Sequence, residues 1–281
     1  MDCLSIETPA KLNLVLNITG RRADGYHLLE TAFQFIDWYD YLEFTVTRDA
    51  VLQRHADNSD IPPESDLVIR AARRLQAHAG VCRGAIIRID KRIPIGGGLG
   101  GGSSDAAACL LALNQLWQLN YSLDQLAEIG LTLGADVPVF IRGRAAWATG
   151  LGEQLIPLDL PEACYLVIDP GVQVSTAAVF NAEELTRDND PLTIRAFLRG
   201  AGGNVCEPVA RRQYSEVGAV LDWLGQFATA RMSGTGGCVF AAFDSLNQAE
   251  ALKSKVPGHW VARVVQAMNY NPVHRQLGLP V

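Results

Sequence analysis

Between Pro94 and Ser104 the chain reads PIGGGLGGGSS, with six glycines in the seven positions from Gly96 to Gly102. Glycine lacks a Cβ, so backbone built from it can turn its N–H groups inward around an anion. The small and apolar residues that follow, DAAACLLALNQL, predict a helix, and the unpaired amides of a helix N-terminus add positive potential at the same place. Ser103 and Ser104 sit where that helix begins. Their hydroxyls can donate to a phosphate, or one can offer an oxygen to the Mg2+ that travels with ATP. A serine cap after a tight turn is the other use of the same residues.

Two well-known phosphate motifs can be tested on this stretch. Walker A ends its loop with a lysine followed by serine or threonine, and no lysine lies in the loop or directly after it. The dinucleotide pattern G-x-G-x-x-G is met formally by Gly96, Gly98 and Gly101, as almost any run this rich in glycine would meet it. About 20 residues further on, where a ribose-binding acid belongs, the chain reads LNQLWQL, and two helical segments in succession replace the expected crossover. A dinucleotide-dependent oxidoreductase is therefore disfavoured.

The elements around the loop read as a mixture of strands and helices. PAKLNLVLNI (9–18) alternates, with Leu12, Leu14, Leu16 and Ile18 on one face and Lys11, Asn13, Val15 and Asn17 on the other, so Lys11 and Asn13 point the same way. TGRRADGYH reads as a turn centred on Asp24–Gly25, followed by strands in HLLETAFQFID and YLEFTVTR. HADNSDIPPES is a polar loop, and SDLVIRAARRLQAHAG a helix capped at Ser65 and stopped at Gly80. GAIIRIDK is a strand that delivers the chain to the glycine run. SLDQLAEIGLTLGAD opens with a capping box at Ser122 and Gln125 and stops at Gly134, and VPVFIRGRAAWATGLGE reads as extended. Beyond the proline-containing boundary LIPLDLPEA come the strand CYLVID, the loop PGVQVSTAAVF, an irregular polar stretch, and further helices and strands. This order is α+β rather than a regular βαβ alternation.

Bulk properties narrow the function class. With 281 residues, 48% hydrophobic and 19% charged, the chain can bury a substantial core. A net charge of −6 disfavours broad nucleic-acid binding, and no apolar run reaches the length that crosses a bilayer. The six cysteines are scattered with no CxxC, which fits reduced, structural thiols in a cytoplasmic protein.

Read together, PAKLNLVLNITGRRADGYH, PIGGGLGGGSSDAAA, LGADVPVF and MSGTGGCVFAAF resemble, in order, the motifs of the GHMP kinases, the superfamily of galactokinase, homoserine kinase and mevalonate kinase. The doubled glycine block and DGYH are most similar to the branch that acts on a cytidyl methylerythritol in the non-mevalonate isoprenoid route. The resemblance implies a two-domain GHMP kinase fold. An N-terminal domain like ribosomal protein S5 domain 2 (1–157) would carry the ATP loop, and a ferredoxin-like C-terminal domain (158–281) would complete the site between them.

The resemblance also implies roles. Lys11 and Asp136 form the catalytic pair, with Asp136 drawing the proton from the substrate's 2-hydroxyl and the lysine cation favouring the carboxylate. Without the resemblance, Asp136 reads as an ordinary turn aspartate and Lys11 as a solvated strand lysine. ATP is assigned to Pro94, Ile95, Gly96, Gly97, Gly98, Leu99, Gly100, Gly101, Gly102, Ser103 and Ser104, with Lys91 and Asp66 on the adenine side. The substrate is assigned to Asn13, Tyr26, His27, Thr176 and Phe180, with Tyr26 and Phe180 on opposite faces of the base and His27 at its edge. Two positions depart from the family pattern: Ala177 where proline is typical, and Asp66 where asparagine is frequent. Asp105, in the helix's first turn, must point away from phosphate. The expected cofactors are ATP and Mg2+, with no protein metal ligand assigned. The expected partner is a small molecule, with no nucleic acid or membrane, in a monomer or homodimer. The alternatives are another GHMP small-molecule kinase of homoserine or mevalonate type, or a non-catalytic nucleotide-binding protein.

Overall fold

The structure, a computed structural model, describes residues 3–56, 62 and 65–280. A long antiparallel hairpin, β1 (Cys3–Arg21) and β2 (His27–Thr47), forms its spine, closed by a turn in which Gly25 takes φ 92°. One edge of β2 carries β1. The other carries three partners in succession: β5 (Ala146–Thr149) at Thr31–Phe33, β10 (Val261–Met268) at Phe35–Ile36 and β4 (Gly84–Asp90) at Tyr41–Thr47. β3 (Leu52–Ala56) adds to β4 in parallel and β6 (Gln154–Pro157) to β5. Through β10 the sheet continues to β7 (Cys164–Asp169), β9 (Val239–Phe243) and β8 (Arg231–Met232).

Three large apolar clusters and a small fourth around Val15, Ala32 and Trp147 fill the described residues. In the first, α1 (Leu67–Ala79), α2 (Gly101–Leu116), α3 (Leu123–Leu131) and α4 (Val137–Arg142) pack on β2 and β4. In the second, α5 (Thr176–Asn181), α7 (Glu207–Gln213), α8 (Ser215–Leu224) and α9 (Leu246–Lys253) cover β7 and β9. The third joins Leu12, Ile93 and Leu99 to Val167, Cys238 and Phe240, so the two halves share a core directly beneath the glycine run. The short α6 (Ile194–Leu198) rests its Phe197 on Trp147. The last helix, α10 (Pro272–Leu277), returns to the first cluster through Val273 and Leu277. Among the described residues no helix is long and apolar enough to cross a membrane, and all six cysteines are free.

Several local expectations need correction. VPVFIR is helix α4, not strand. Val137 to Ile141 are wholly buried, so the run shows no amphipathic period, while Pro138 suits the first helical turn and Gly143 closes the helix at φ 73°. The cap of α1 is Asp66 rather than Ser65, its carboxylate accepting from Val68 N and Ile69 N. α3 ends at Leu131, with only turns reaching Gly134. The loop read at 170–180 contains α5. Of the polar loop read at 55–65, His55 and Ala56 belong to β3, and residues 57–61, 63 and 64 lie outside the described residues. β1 is not one-faced: register shifts at Pro9/Ala10 and Asn13/Val15 send Leu12 to the central cluster and Leu16 and Ile18 to the second. The face of Lys11 and Asn13 is not solvated either, since both side chains are buried.

Candidate active site

The glycine run is held by a second glycine turn. Gly98 has φ 74°, and a Cβ there would lie 2.0 Å from the carbonyl of Ser233. A Cβ on Gly97 would meet Cys238 Sγ at 2.6 Å, and one on Gly237 would meet Gly97 Cα at 2.8 Å. Cys238 N donates to Gly97 O at 2.9 Å, and Ser233 Oγ donates to Gly98 O at 2.9 Å. The segment SGTGGC (233–238) therefore backs the first loop backbone to backbone, while Leu99 anchors it in the shared core. α2 starts at once, with Gly100 as a side-chain-free cap, so its first amides face the cleft.

Beside that helix start, Lys11 Nζ lies 3.1 Å from Asp136 Oδ2. The ammonium also donates to Gly98 O at 3.1 Å and to Asn13 Oδ1. Lys11 is 2% exposed, whereas the Asp136 side chain is 32% exposed. Asp136 caps α4 by position, yet its carboxylate makes no capping bond and stays available to the cleft. Asn13 is fixed by Thr31, to whose hydroxyl it donates at 2.9 Å. Lys11, Asn13, Asp136 and the loop Pro94–Ser103 line one cavity of about 550 Å3. A carboxylate open to an incoming hydroxyl, a cation against it and a row of amides opposite can align an alcohol with a phosphoryl group.

At the α1 end, Lys91 Nζ is clamped by Asp105 Oδ2 at 2.7 Å and by Asp40, and Thr8 Oγ1 donates to Asp105 at 2.6 Å. Burial works against the Lys91 cation, but the two carboxylates outweigh it and raise its pKa. Burial pushes the Asp105 carboxyl up to about 6 despite Lys91, with Asp40 adding to the rise. Asp105 is buried, held by Thr8 and Lys91. Asp66, buried as the cap of α1, pairs with Arg54 at 2.8 Å. Ser103 lines the cavity, while Ser104 is buried and its hydroxyl has no hydrogen-bond partner among the described residues.

At the opposite end, Phe180 and Thr176 line the cavity, and the Thr176 and Thr235 hydroxyls share a hydrogen bond of 2.8 Å. His27 stacks on Phe180 with ring centroids 5.1 Å apart and planes 19° from parallel. Tyr26, 62% exposed, stands outside the cavity walls at the turn before β2. The structure therefore gathers the loop, Lys11, Asn13, Asp136, Lys91, Asp66, Thr176 and Phe180 around one cavity, with His27 at its rim and Tyr26 beyond it. Sequence reasoning did not single out Asp40, Arg54, Thr31, Thr235 or Arg187. Thr235 lies inside a glycine motif already noted, whereas the others carried no local signal.

Residues 66–144 match the GHMP kinases N terminal domain and residues 182–262 the GHMP kinases C terminal family. The 4-diphosphocytidyl-2-C-methyl-D-erythritol kinase of Nitrosococcus oceani is 57% identical, over 94% of each chain. The enzyme of the same name from Pseudomonas aeruginosa strain UCBPP-PA14 is 50% identical, over 98% of this chain and 97% of its own. Among solved structures, a 4-(cytidine 5'-diphospho)-2C-methyl-D-erythritol kinase superposes with TM-score 0.77 at 35% identity, covering 94% of this chain and 99% of its own. A homoserine kinase from Cytophaga hutchinsonii shares the fold at TM-score 0.69 and 18% identity, over 96% of each chain.

Proposed function

The chain belongs to the GHMP kinase family, and from that premise we propose that it transfers the γ-phosphoryl group of ATP to the 2-hydroxyl of 4-diphosphocytidyl-2-C-methyl-D-erythritol. One observation carries the reading: the 3.1 Å pair of Lys11 and Asp136 opens on the same cavity as the glycine loop and the start of α2. The loop amides from Gly96 to Ser103 hold the triphosphate. Asp136 accepts the hydroxyl proton as the oxygen attacks phosphorus, and Lys11 offsets the charge that gathers on the transferred group. Asn13 orients the polyol. Phe180, Thr176, His27 and Tyr26 receive the cytidyl end, while Lys91 and Asp66 border the adenine. The division into domains 1–157 and 158–281 belongs to the same reading, with α10 crossing back to the first core.

Mg2+ fits the donor set as a companion of the nucleotide. No group of three acidic, histidine or cysteine side chains able to hold a metal occurs among the described residues, but Ser103 and Asp136 both place oxygens on the cavity wall. Mg2+ commonly takes only one or two protein oxygens and completes its shell with phosphates and water. When bound, it neutralises charge on the β- and γ-phosphates. The proposed setting is the cytoplasm, where ATP is available.

Incubation with ATP, Mg2+ and a panel of alcohols, following ADP release, tests the assignment. Turnover is expected with the cytidyl compound. Turnover with mevalonate or homoserine instead would overturn the substrate while leaving the fold untouched.

A further inference from the structure

Arg187 makes four hydrogen bonds in the stretch between α5 and α6. Its Nη2 donates to Phe180 O at 3.0 Å and to Ala182 O at 2.6 Å, and its Nη1 donates to Leu185 O at 3.0 Å. Its Nε donates to His27 Nε2 at 3.1 Å. A guanidinium has donors and no acceptor, so the nitrogen facing it must present a lone pair. A neutral His27 then carries its proton on Nδ1, which makes no hydrogen bond with the described residues. The same ring stacks on Phe180, so Arg187 and Phe180 together leave His27 little rotational freedom.

We propose that Arg187 is a positioning residue that sets base choice. By occupying His27 Nε2 it holds the imidazole as the Nδ1–H tautomer, a donor suited to a pyrimidine whose ring N3 is an unprotonated acceptor. Cytosine meets that description, and uracil, with a proton on N3, does not. The inference rests on the cytidyl substrate and the His27 role given above. The surroundings support it: burial, then Arg187, then Arg21 at the end of β1 disfavour the imidazolium and lower the His27 pKa. His27 is therefore neutral at physiological pH, and only a neutral ring has a tautomer to fix.

The test has two arms. Long-range 1H–15N NMR of the ligand-free wild type at pH 7.5 reads the tautomer directly. Nδ1–H is expected, and Nε2–H would overturn the proposal. Steady-state kinetics of wild type, Arg187→Lys and Arg187→Met then compare the cytidyl substrate with its uridyl counterpart. In Arg187→Met the KM for the cytidyl substrate should rise about tenfold, the size of one lost hydrogen bond, with kcat and the KM for ATP little changed. The preference for cytidyl over uridyl should fall by the same factor, and the KM defect should shrink as pH drops below about 6.5, where a released imidazole protonates and carries an N–H on both nitrogens. Arg187→Lys keeps one donor for Nε2 and should recover part of both effects. If Arg187 only anchors α5, KM will rise equally for both substrates with the tautomer unchanged, which overturns the proposal. Should the methionine variant fail to fold, the wild-type spectrum and the lysine variant still decide it. Absence of turnover with the cytidyl compound would instead defeat the substrate assignment, and the NMR arm would still report on Arg187.

Discussion

The peptide N–H of Cys238 donates to the carbonyl of Gly97 at 2.9 Å, tying the loop that opens α2 to the glycine turn 233–238. The two loops come from opposite halves of the sequence and approach this closely because Gly97 and Gly98 carry no side chains at the contact. The glycine loop is therefore built on an interface, and its rigidity depends on both sides.

Gly98→Ala tests that interface. The new Cβ would fall on Ser233 O in a backbone conformation that alanine adopts reluctantly. The variant should lose about 2 kcal/mol or more of stability and bind ATP several-fold more weakly. Gly203→Ala, whose Cβ meets nothing within 4 Å, should stay within about 0.5 kcal/mol of wild type. Thermal unfolding and equilibrium ATP titration report both effects.

Asp136→Asn keeps the shape of the cavity and removes the proton acceptor. Its kcat should fall at least about 100-fold, with ATP affinity nearly unchanged. Near-normal turnover in single-turnover experiments would refute the assignment. Lys11→Met should be similarly damaging, since Asp136 loses its ion pair and Asn13 Oδ1 and Gly98 O each lose a donor. The double variant should be little worse than either single one, because the two residues act as a unit.

Asp105 gives stability a pH signature. Its folded-state pKa of about 6 lies above the 3.8 of a solvated aspartate, so between those values the folded protein binds a proton that the unfolded chain releases. The contribution is present at low pH and is lost as pH rises through about 6. Asp105→Asn removes it while leaving the Asp40–Lys91 pair in place. Relative to wild type, the variant should gain roughly 1 kcal/mol between pH 5 and pH 7 in chemical denaturation. A flat difference across that range would contradict the assignment.

Tyr26→Ala should leave stability unchanged, since the ring is largely exposed. A stacking role predicts a rise in KM for the cytidyl substrate of about fivefold or more, with the KM for ATP unaffected. Equal effects on both would argue against stacking.

The legible parts of the site were those carried by local chemistry. The glycine run announced a loop that opens a buried helix, the alternation of β1 paired Lys11 with Asn13, and the Ser122–Gln125 box stands as read. The misread parts were those where burial erased the pattern. α4 is apolar at every position from Val137 to Ile141, so its helical period left no trace, and with it went the view of Asp136 as a helix cap. Asp40, Arg54 and Arg187 stand out only through partners distant in sequence: Lys91 is 51 residues from Asp40, and His27 is 160 from Arg187.

The amino-acid sequence by itself determined that a glycine loop would stand at the head of a buried helix, because glycine spacing and the small residues behind it are local properties. It also determined the family, through motifs kept in order. Only the tertiary structure decided what the glycines are shaped against. Gly97 and Gly98 are small because Cys238 and Ser233 press on them from behind, while the amides in front remain free for phosphate. It likewise decided that Lys11 and Asp136 meet. Their distance is set by a bulged strand and a six-residue helix packed on one core, and no spacing along the chain encodes it.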